Sequence, residues 1–375
     1  MNFEYSDDQR MLRDTLERFV ADRYSFDARR AHLSQPDGWS RVIWVELAEL
    51  GVLSLPFAVQ DGGLGGGGIE TMIVTEALGK GLVVEPYFAT VILAGGLLTI
   101  AGNAAQRADR VARIGAGDHV MAVAFGESGL PRHAPAQART RATCSGDRWV
   151  LKGAKTAVLH GDCADELIVT AATDEGLSLF LVATDVAGID RNITSTYDGR
   201  RVADIGFSDV ELPKEALLGA PGGASALLAR LEIQALAALA AEAVGAMSLA
   251  LDTTTDYLRT RQQFGVPIGS FQALQHRAVD MLIALEQARS IVILAALTES
   301  MPLPERQAIA AAAKVQVGRS GRFIGQQAVQ LHGAIGLTDE YVVGHAFKRL
   351  TAIDALFGDA DHHLDAIAHA GGLPA

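Results

Sequence analysis

Tyr257-Leu-Arg-Thr-Arg-Gln-Gln-Phe-Gly-Val-Pro-Ile-Gly-Ser-Phe-Gln272 closes one long helical pattern, turns through Gly265 and Pro267, and opens another. Arginine's planar fork makes paired, charge-assisted hydrogen bonds, which suits a diphosphate, and Phe264 offers a face to a flat ring. The bland reading of the same residues is an interhelix turn with solvated arginines. Three long helical patterns surround this stretch, Ala224–Thr260, Phe271–Ser300 and Glu305–His332, with a shorter one at Asp354–Ala370. Pro267 and the Pro302–Pro304 cluster punctuate them.

Toward the N-terminus the texture changes. Val120–Phe125, Trp149–Leu151, Glu166–Thr170, Leu177–Val182, the run from Val202 and Asp209–Leu212 are short apolar or alternating segments bounded by Gly, Asp and Ser. That spacing predicts an antiparallel β domain. Before it, Asp7–Ala21 repeats apolar residues at helical spacing behind the N-cap candidate Ser6, and Trp39–Leu50, Ile69–Leu78 and Phe88–Ile100 follow suit. The order is helices, strands, helices. It predicts an α+β chain with a helical domain over 1–117, a β domain over 118–219 and a helical domain over 220–375.

The 375 residues carry 32 basic and 44 acidic side chains, a net charge of −12. That balance argues against nucleic acid as a partner, because phosphate binding needs a basic face. It leaves room for an anionic ligand met by a few placed arginines. Cys144 and Cys163 are too few for a four-cysteine zinc site or a disulfide framework. Met1-Asn2-Phe3-Glu4 does not fit a signal peptide. The longest apolar runs, Val83–Ile100 and Ala235–Ala250, contain Glu85 and Glu242, against a membrane span. A cytoplasmic protein is expected.

Asp61–Gly68 holds six glycines in eight residues and invites comparison with a phosphate loop. No strand pattern precedes it, no Gly-Lys-Ser/Thr ends it, and the nearest lysine is Lys80, so a turn between helices is the better reading. Gln330-Leu-His-Gly-Ala-Ile-Gly-Leu-Thr-Asp-Glu340 ends the third long helix in small residues, where backbone N–H groups can approach a ligand closely. Neither His332 nor His345 has a nucleophile partner in sequence, which disfavours a hydrolase triad. His362-His363 with Asp359 and Asp361 reads as a solvated helix face, and no metal site is expected.

Taken together, the motifs resemble those of the acyl-CoA dehydrogenase family. Phe3-Glu-Tyr-Ser-Asp-Asp-Gln-Arg-Met-Leu-Arg13, Leu47-Ala-Glu-Leu-Gly51, Trp149-Val-Leu-Lys-Gly-Ala-Lys155, Arg261-Gln-Gln-Phe-Gly265 and Gln330–Gly336 carry the resemblance over nearly the whole chain. Within the family the chain is most similar to small subunits of pimeloyl-CoA dehydrogenase. Leu78-Gly-Lys-Gly-Leu-Val-Val-Glu-Pro-Tyr87, Val244-Gly-Ala-Met247, Gly318-Arg-Ser-Gly-Arg-Phe323 and Leu356-Phe-Gly-Asp-Ala-Asp-His-His363 carry this closer likeness.

The resemblance implies a middle β-barrel or sandwich between an N-terminal helical domain and a C-terminal four-helix bundle. It implies bound FAD, an acyl-CoA substrate, and electron transfer to an electron-transfer flavoprotein. It also implies a homo-oligomer or a heteromer with a large subunit. Carried over residue by residue, Arg261, Gln263 and Phe264 would grip FAD across a subunit boundary, with Gln330, Gly333 and Ala334 near the dinucleotide. Phe125, Gly126, Val158 and Leu159 would line the flavin ring, largely through backbone. Position 334 is usually glycine in the family, and the usual Thr-Glu-Pro and Gly-Ser-Asp of the middle domain are replaced here by Gly126-Glu127-Ser128-Gly129. A tryptophan and a threonine common near the flavin give way to Ala157 and Leu159.

The family reaction takes the α-proton of an acyl-CoA with a carboxylate while a hydride leaves the β-carbon. The resemblance places the usual glutamate at Phe357 and its less common alternative at Ala235, so both positions are empty. Glu242, seven residues past Ala235 on roughly the same helix face, is the leading substitute, and Asp359 the weaker one. The competing reading of Glu242 is an ion pair with a cation such as Arg277 or His276. Two functions follow: a dehydrogenase in its own right, or a non-catalytic FAD-holding subunit of a heteromeric enzyme.

Overall fold

The computed structural model describes residues 5–130 and 137–372; Met1–Glu4, with the Phe3-Glu4 start of the opening motif, lie outside the described residues. The helices are α1 (Asp7–Arg23), α2 (Phe26–Leu33), α3 (Arg41–Glu49), α4 (Gly68–Lys80), α5 (Gly95–Ala101) and α6 (Ala104–Gly115), then α7 (Ala224–Thr260), α8 (Gln272–Ala296), α9 (Leu303–His332), α10 (Val342–Ala355) and α11 (Ala360–His369). Between them run β1 (Met121–Ala124), β2 (Arg141–Ser145), β3 (Arg148–Leu159), β4 (Glu166–Thr173), β5 (Gly176–Ala183), β6 (Ile189–Ser195), β7 (Arg201–Pro213) and β8 (Leu217–Leu218). The chain gathers into two compact units. One holds the described residues up to Ala31 together with Gly67–Val83 and Leu236 onward, and the other holds His32–Gly66 and Val84–Ala235.

Local chemistry explains the elements. Ser6 accepts a hydrogen bond from the Gln9 N–H while the Gln9 side chain accepts one from the Ser6 N–H, a reciprocal cap that starts α1. Ser40 caps α3 in the simpler way. The predicted Phe88–Ile100 helix is present but begins as a π-helical turn over Phe88–Ala94 before becoming α5.

The sheet order is β6-β7-β3-β2-β4-β5-β8, with β1 beside β4. Most pairings are antiparallel as the sequence predicts, but β1 and one register of β2 run parallel to β4. Leu167, Ile168 and Val169 of β4 are all fully buried, so both faces of this strand are covered and its apolar run needs no alternation.

In the other unit α9 packs against α8, α10 and α11. Two of the motifs noted in the sequence meet where α4 crosses α7. A Cβ added at Gly79 would sit 2.1 Å from the Glu242 carbonyl oxygen, and one at Gly245 would sit 2.0 Å from that of Glu76. Only glycine permits this approach. Gly245→Ala is expected to cost about 3 kcal/mol through forced helix separation, measured as a shift in the denaturation midpoint. Helix α7 is long and apolar enough to span a bilayer, yet 83% of its most apolar window is buried inside the fold, as in a core helix.

The expected Asp354–Ala370 helix is broken. Phe357 and Gly358 take left-handed conformations at φ 57° and 90°, ending α10, and Asp359 restarts the chain as the N-cap of α11. The glycine-rich segment is a connector, as expected. It packs tightly rather than hanging free: a Cβ on Gly63 would lie 2.1 Å from the Phe57 carbonyl oxygen.

Candidate cofactor site and general base

Arg261–Ile268 forms a miniature hairpin. Strands β9 (Gln262–Gln263) and β10 (Val266–Pro267) pair antiparallel around Phe264 and Gly265, both left-handed at φ 55° and 79°. Positive φ at both central residues is the type I′ arrangement that matches strand twist. Phenylalanine is a poor choice for that conformation on local grounds. Its ring is 90% exposed, touching Phe271 edge-on at a centroid distance of 6.1 Å. The apolar ring is thus held out on a strained turn, flanked by exposed Arg261 and Gln263.

The second motif lies beside the first. Tyr257, in the last turn of α7, stacks on His332, the last residue of α9, with ring centroids 4.4 Å apart. Tyr341 closes on the other side of His332 at 5.0 Å. The imidazole is buried and engages the Ala328 carbonyl through Nδ1; burial pushes its pKa down, which keeps it an uncharged wedge. The helix ends bearing Arg261 and Gln330 are thereby locked together. Gln330, Gly333 and Ala334 are exposed. Gly333 is left-handed at φ 65° with open space where a Cβ would stand, so its backbone is accessible to a ligand. Ala334 sits in the following helical turn with no positive φ, which is why a methyl is tolerated there.

In the β unit the Thr156 N–H donates to the Gly126 carbonyl at 2.8 Å, setting Phe125-Gly126 beside the end of β3. A register shift between Lys155 and Val158 breaks the β3–β7 ladder there, with Ala157 left-handed at φ 52°. Such bulges re-aim backbone groups next to binding sites. Leu159, Phe125 and Gly126 are partly accessible, but the Val158 side chain belongs to the core, so only its backbone can serve a ligand. Beneath them Lys155 is fully buried. Its ammonium donates to Glu127 at 2.6 Å and Thr170 at 2.8 Å, and burial pulls its pKa down to about 8. Glu127 also accepts the Arg139 and Thr140 N–H groups, so Gly126-Glu127-Ser128-Gly129 is anchored by a carboxylate rather than by the usual tripeptide.

The structure argues against both sequence candidates for the base. Glu242 is chelated: Arg349 of α10 donates through Nε and a terminal nitrogen to its two oxygens, each at 2.8 Å, with side-chain exposures of 4% and 8%. The pairing foreseen with Arg277 or His276 is made by Arg349 instead, a residue 107 positions away. A carboxylate with both oxygens held by a buried guanidinium is an ion-pair partner, poorly placed to take a proton. Asp359 caps α11 by accepting the His362 N–H at 2.9 Å, and that bond lowers its pKa, the wrong direction for a base. Phe357, at the expected glutamate position, has no proton acceptor in its side chain. Its turn is fastened by Lys314, a fully buried ammonium that donates to the carbonyls of Asp354 at 2.7 Å and of Gly358.

Glu232 was missed in the sequence. It lies one turn before Ala235 on α7, and helical spacing by itself would have found it. It is half-buried, and among the described residues no hydrogen bond or ion pair ties its carboxylate. Burial alone raises its pKa to about 6. That is the environment a carboxylate needs to act as a base near neutral pH. The motifs around Gly318 and Asp359 meet in one pocket of about 240 Å³, lined by Arg319, Arg322, Phe323 and Gln326 on α9 and Asp359–Asp361 opposite.

Residues 6–118 match the model for the acyl-CoA dehydrogenase N-terminal domain, and residues 222–372 match that for its C-terminal domain. A probable acyl-CoA dehydrogenase of Bacillus subtilis, YngJ, is 32% identical over 92% of each chain. The solved ChsE4-ChsE5 complex from Mycobacterium tuberculosis contains a chain 26% identical over 100% of both, with a TM-score of 0.90. A chain in a structure described as the electron transferring flavoprotein of Acidaminococcus fermentans is 26% identical over 99% of both, with a TM-score of 0.92. With the helical–β–helical order and the two coupled motifs, these matches show that the chain belongs to the acyl-CoA dehydrogenase family, a family of FAD-dependent oxidoreductases.

Proposed function

We propose that this chain catalyses the α,β-dehydrogenation of an acyl-CoA to the trans-2-enoyl-CoA, with Glu232 as the general base. The observation that carries this reading is the half-buried Glu232 carboxylate, with no cation on it among the described residues and its pKa raised by burial, one helical turn from a position the family uses for its base. Bound FAD supplies the hydride acceptor. The chain's own residues do the rest. Arg261 and Gln263 would hold a pyrophosphate by charge-assisted and neutral hydrogen bonds, Phe264 would lie against a ring, and Gln330 with the Gly333–Ala334 backbone would flank the dinucleotide. Exposed as they are, these residues fit a ligand carried by another subunit, which supports an oligomer. Phe125, Gly126 and Leu159 with the Val158 backbone would face the flavin ring from the β unit.

Arg261→Ala is expected to weaken FAD retention about 10–100-fold, the worth of a charged hydrogen bond pair. Because Arg261 is exposed, circular dichroism and melting of the flavin-free chain should not change. Flavin content after gel filtration reads the effect.

An electron-transfer flavoprotein as acceptor, a cytoplasmic location and a dicarboxylyl substrate such as pimeloyl-CoA belong to the same proposal, as do domain limits near 117 and 219. Comparing pimeloyl-CoA with a monocarboxylyl-CoA of equal length in the flavin-bleaching assay tests the substrate.

A second reading is favoured by Phe357. This chain would then be the FAD-holding, non-catalytic half of a heteromer, and its likeness to a chain of the ChsE4-ChsE5 complex supports an assembly of two different chains. Purifying the chain alone distinguishes the two. Flavin that is bound and bleached anaerobically by acyl-CoA supports catalysis by this chain. Flavin that bleaches only after a larger subunit is added assigns the chemistry to that subunit.

A further inference from the structure

We propose that His160, Asp162 and Cys163 form a binding site for a single divalent transition-metal ion of the zinc class, in the turn joining β3 to β4. Their ligand atoms, an imidazole nitrogen, a carboxylate oxygen and a thiol sulfur, all lie within 4.8 Å of one another. Ligands bound tetrahedrally at the usual zinc distances stand about 3.5 Å apart. Small side-chain rotations therefore close this trio on an ion.

The turn is built rather than accidental. His160 is left-handed at φ 54°, a conformation that costs energy for a residue with a side chain. It is held by its own N–H to the Arg201 carbonyl, and by its carbonyl, which accepts from the N–H groups of Cys163 and Ala164. Arg191 spans the loop, donating to the carbonyls of Gly161 at 3.2 Å and Asp162 at 3.0 Å. The backbone that presents the three ligands is thus fixed before any ion arrives, which reduces the ordering cost of binding.

The acid of the trio is buried, and one of its oxygens is open. The Asp162 side chain is only 3% exposed; its carboxyl feels the backbone N–H groups of Asp162 and Cys163, and its Oδ1 is buried with no hydrogen-bond partner among the described residues. The nearest cation, Arg201, approaches its other oxygen only to 3.8 Å and spends its guanidinium on the carbonyls of Gln35 and Pro36. A buried carboxylate oxygen left without a partner is costly unless something fills the space. A metal ion does so. The sulfur is prepared as well: Trp39 donates its indole N–H to Cys163 Sγ at 3.3 Å, the kind of outer hydrogen bond that stabilises a metal-bound thiolate.

The charge balance is favourable. Without metal, the Cys163 S–H faces the His160 carbonyl at 3.5 Å. On coordination the thiol proton leaves to solvent and a metal–sulfur bond replaces it. One thiolate and one carboxylate then neutralise the dipositive ion, with neutral imidazole as third ligand and a fourth position for water. The buried cluster carries no net charge.

The test uses the FAD-loaded chain, stripped with a chelator and dialysed against zinc chloride, with bound metal measured by mass spectrometry. One equivalent is expected. Cys163→Ser and Asp162→Asn should each weaken binding at least about 100-fold. Cobalt substitution should give ligand-field bands at wavelengths beyond the flavin absorption that are absent from both variants. Exposed Cys144 serves as the internal control: zinc should slow alkylation of Cys163 and leave Cys144 unchanged. Should Cys163→Ser fail to fold, Asp162→Asn alone decides. Substoichiometric zinc in the parent, or equal affinity in the variants, overturns the proposal.

Discussion

Glu232→Gln is expected to slow anaerobic flavin bleaching by acyl-CoA about 10²–10⁴-fold, the range general-base groups supply, while FAD content stays at the parent level. The amide keeps the shape of the side chain but cannot accept the α-proton. The parent should show a matching pH profile. A base must be deprotonated, and burial raises the Glu232 pKa to about 6. The bleaching rate should therefore rise with pH through about 6 and level off above it, and this limb should vanish in the variant.

Stability supplies the control. A carboxyl whose folded pKa lies above its unfolded value stabilises the fold fully below the unfolded pKa. That contribution is lost as pH rises through the folded pKa. At pH 7 the parent bears a half-buried charge that glutamine lacks, so Glu232→Gln should melt no lower than the parent. Parent-level bleaching by the variant would remove Glu232 from the reaction.

Arg349→Met should be the most damaging single substitution in the helical unit. It leaves the Glu242 charge buried without the guanidinium that holds both of its oxygens. Breaking a buried pair in this way costs about 3–5 kcal/mol, or a drop of roughly 5 °C in thermal midpoint for a chain of this length. The double variant Glu242→Leu/Arg349→Met should recover most of that loss, because removing both charges also removes both desolvation penalties. The same pair decides what Glu242 does. If Glu242→Gln lost bleaching while keeping parent stability, Glu242 would be the base after all. The expected outcome is the reverse, a stability loss with flavin bleaching retained in the folded fraction.

Much of the fold was legible in the sequence because its signals are local. Ser6 and Gln9 cap α1 in the way their spacing announces. The alternating runs after residue 118 pair as strands, and Ala224–Thr260 is one helix at the predicted limits. The failures are local conflicts resolved by distant groups. Asp354–Ala370 looks continuous, yet the buried Lys314 ammonium, some forty residues earlier, fastens the carbonyls of a turn in its middle. The paired motifs around Arg261 and Gln330 were recognisable one at a time. That they adjoin depends on the Tyr257–His332 stack.

The chemistry of the carboxylates was the least legible part. Glu242 sits in the most apolar stretch of α7, so hydropathy marks it as the desolvated group, but hydropathy is blind to a guanidinium arriving from α10. Glu232 lies in a less conspicuous stretch. Its distinction is that no cation meets it among the described residues, and that is a property of three dimensions.

The sequence by itself determined the family and the helical–β–helical order, since each of these rests on residue type, periodicity or short spacing. Only the tertiary structure decided which acids are free, which are chelated, and that His160, Asp162 and Cys163 converge beside Trp39. A side chain's protonation and reach are set by neighbours brought in from elsewhere in the chain, and by the water they exclude.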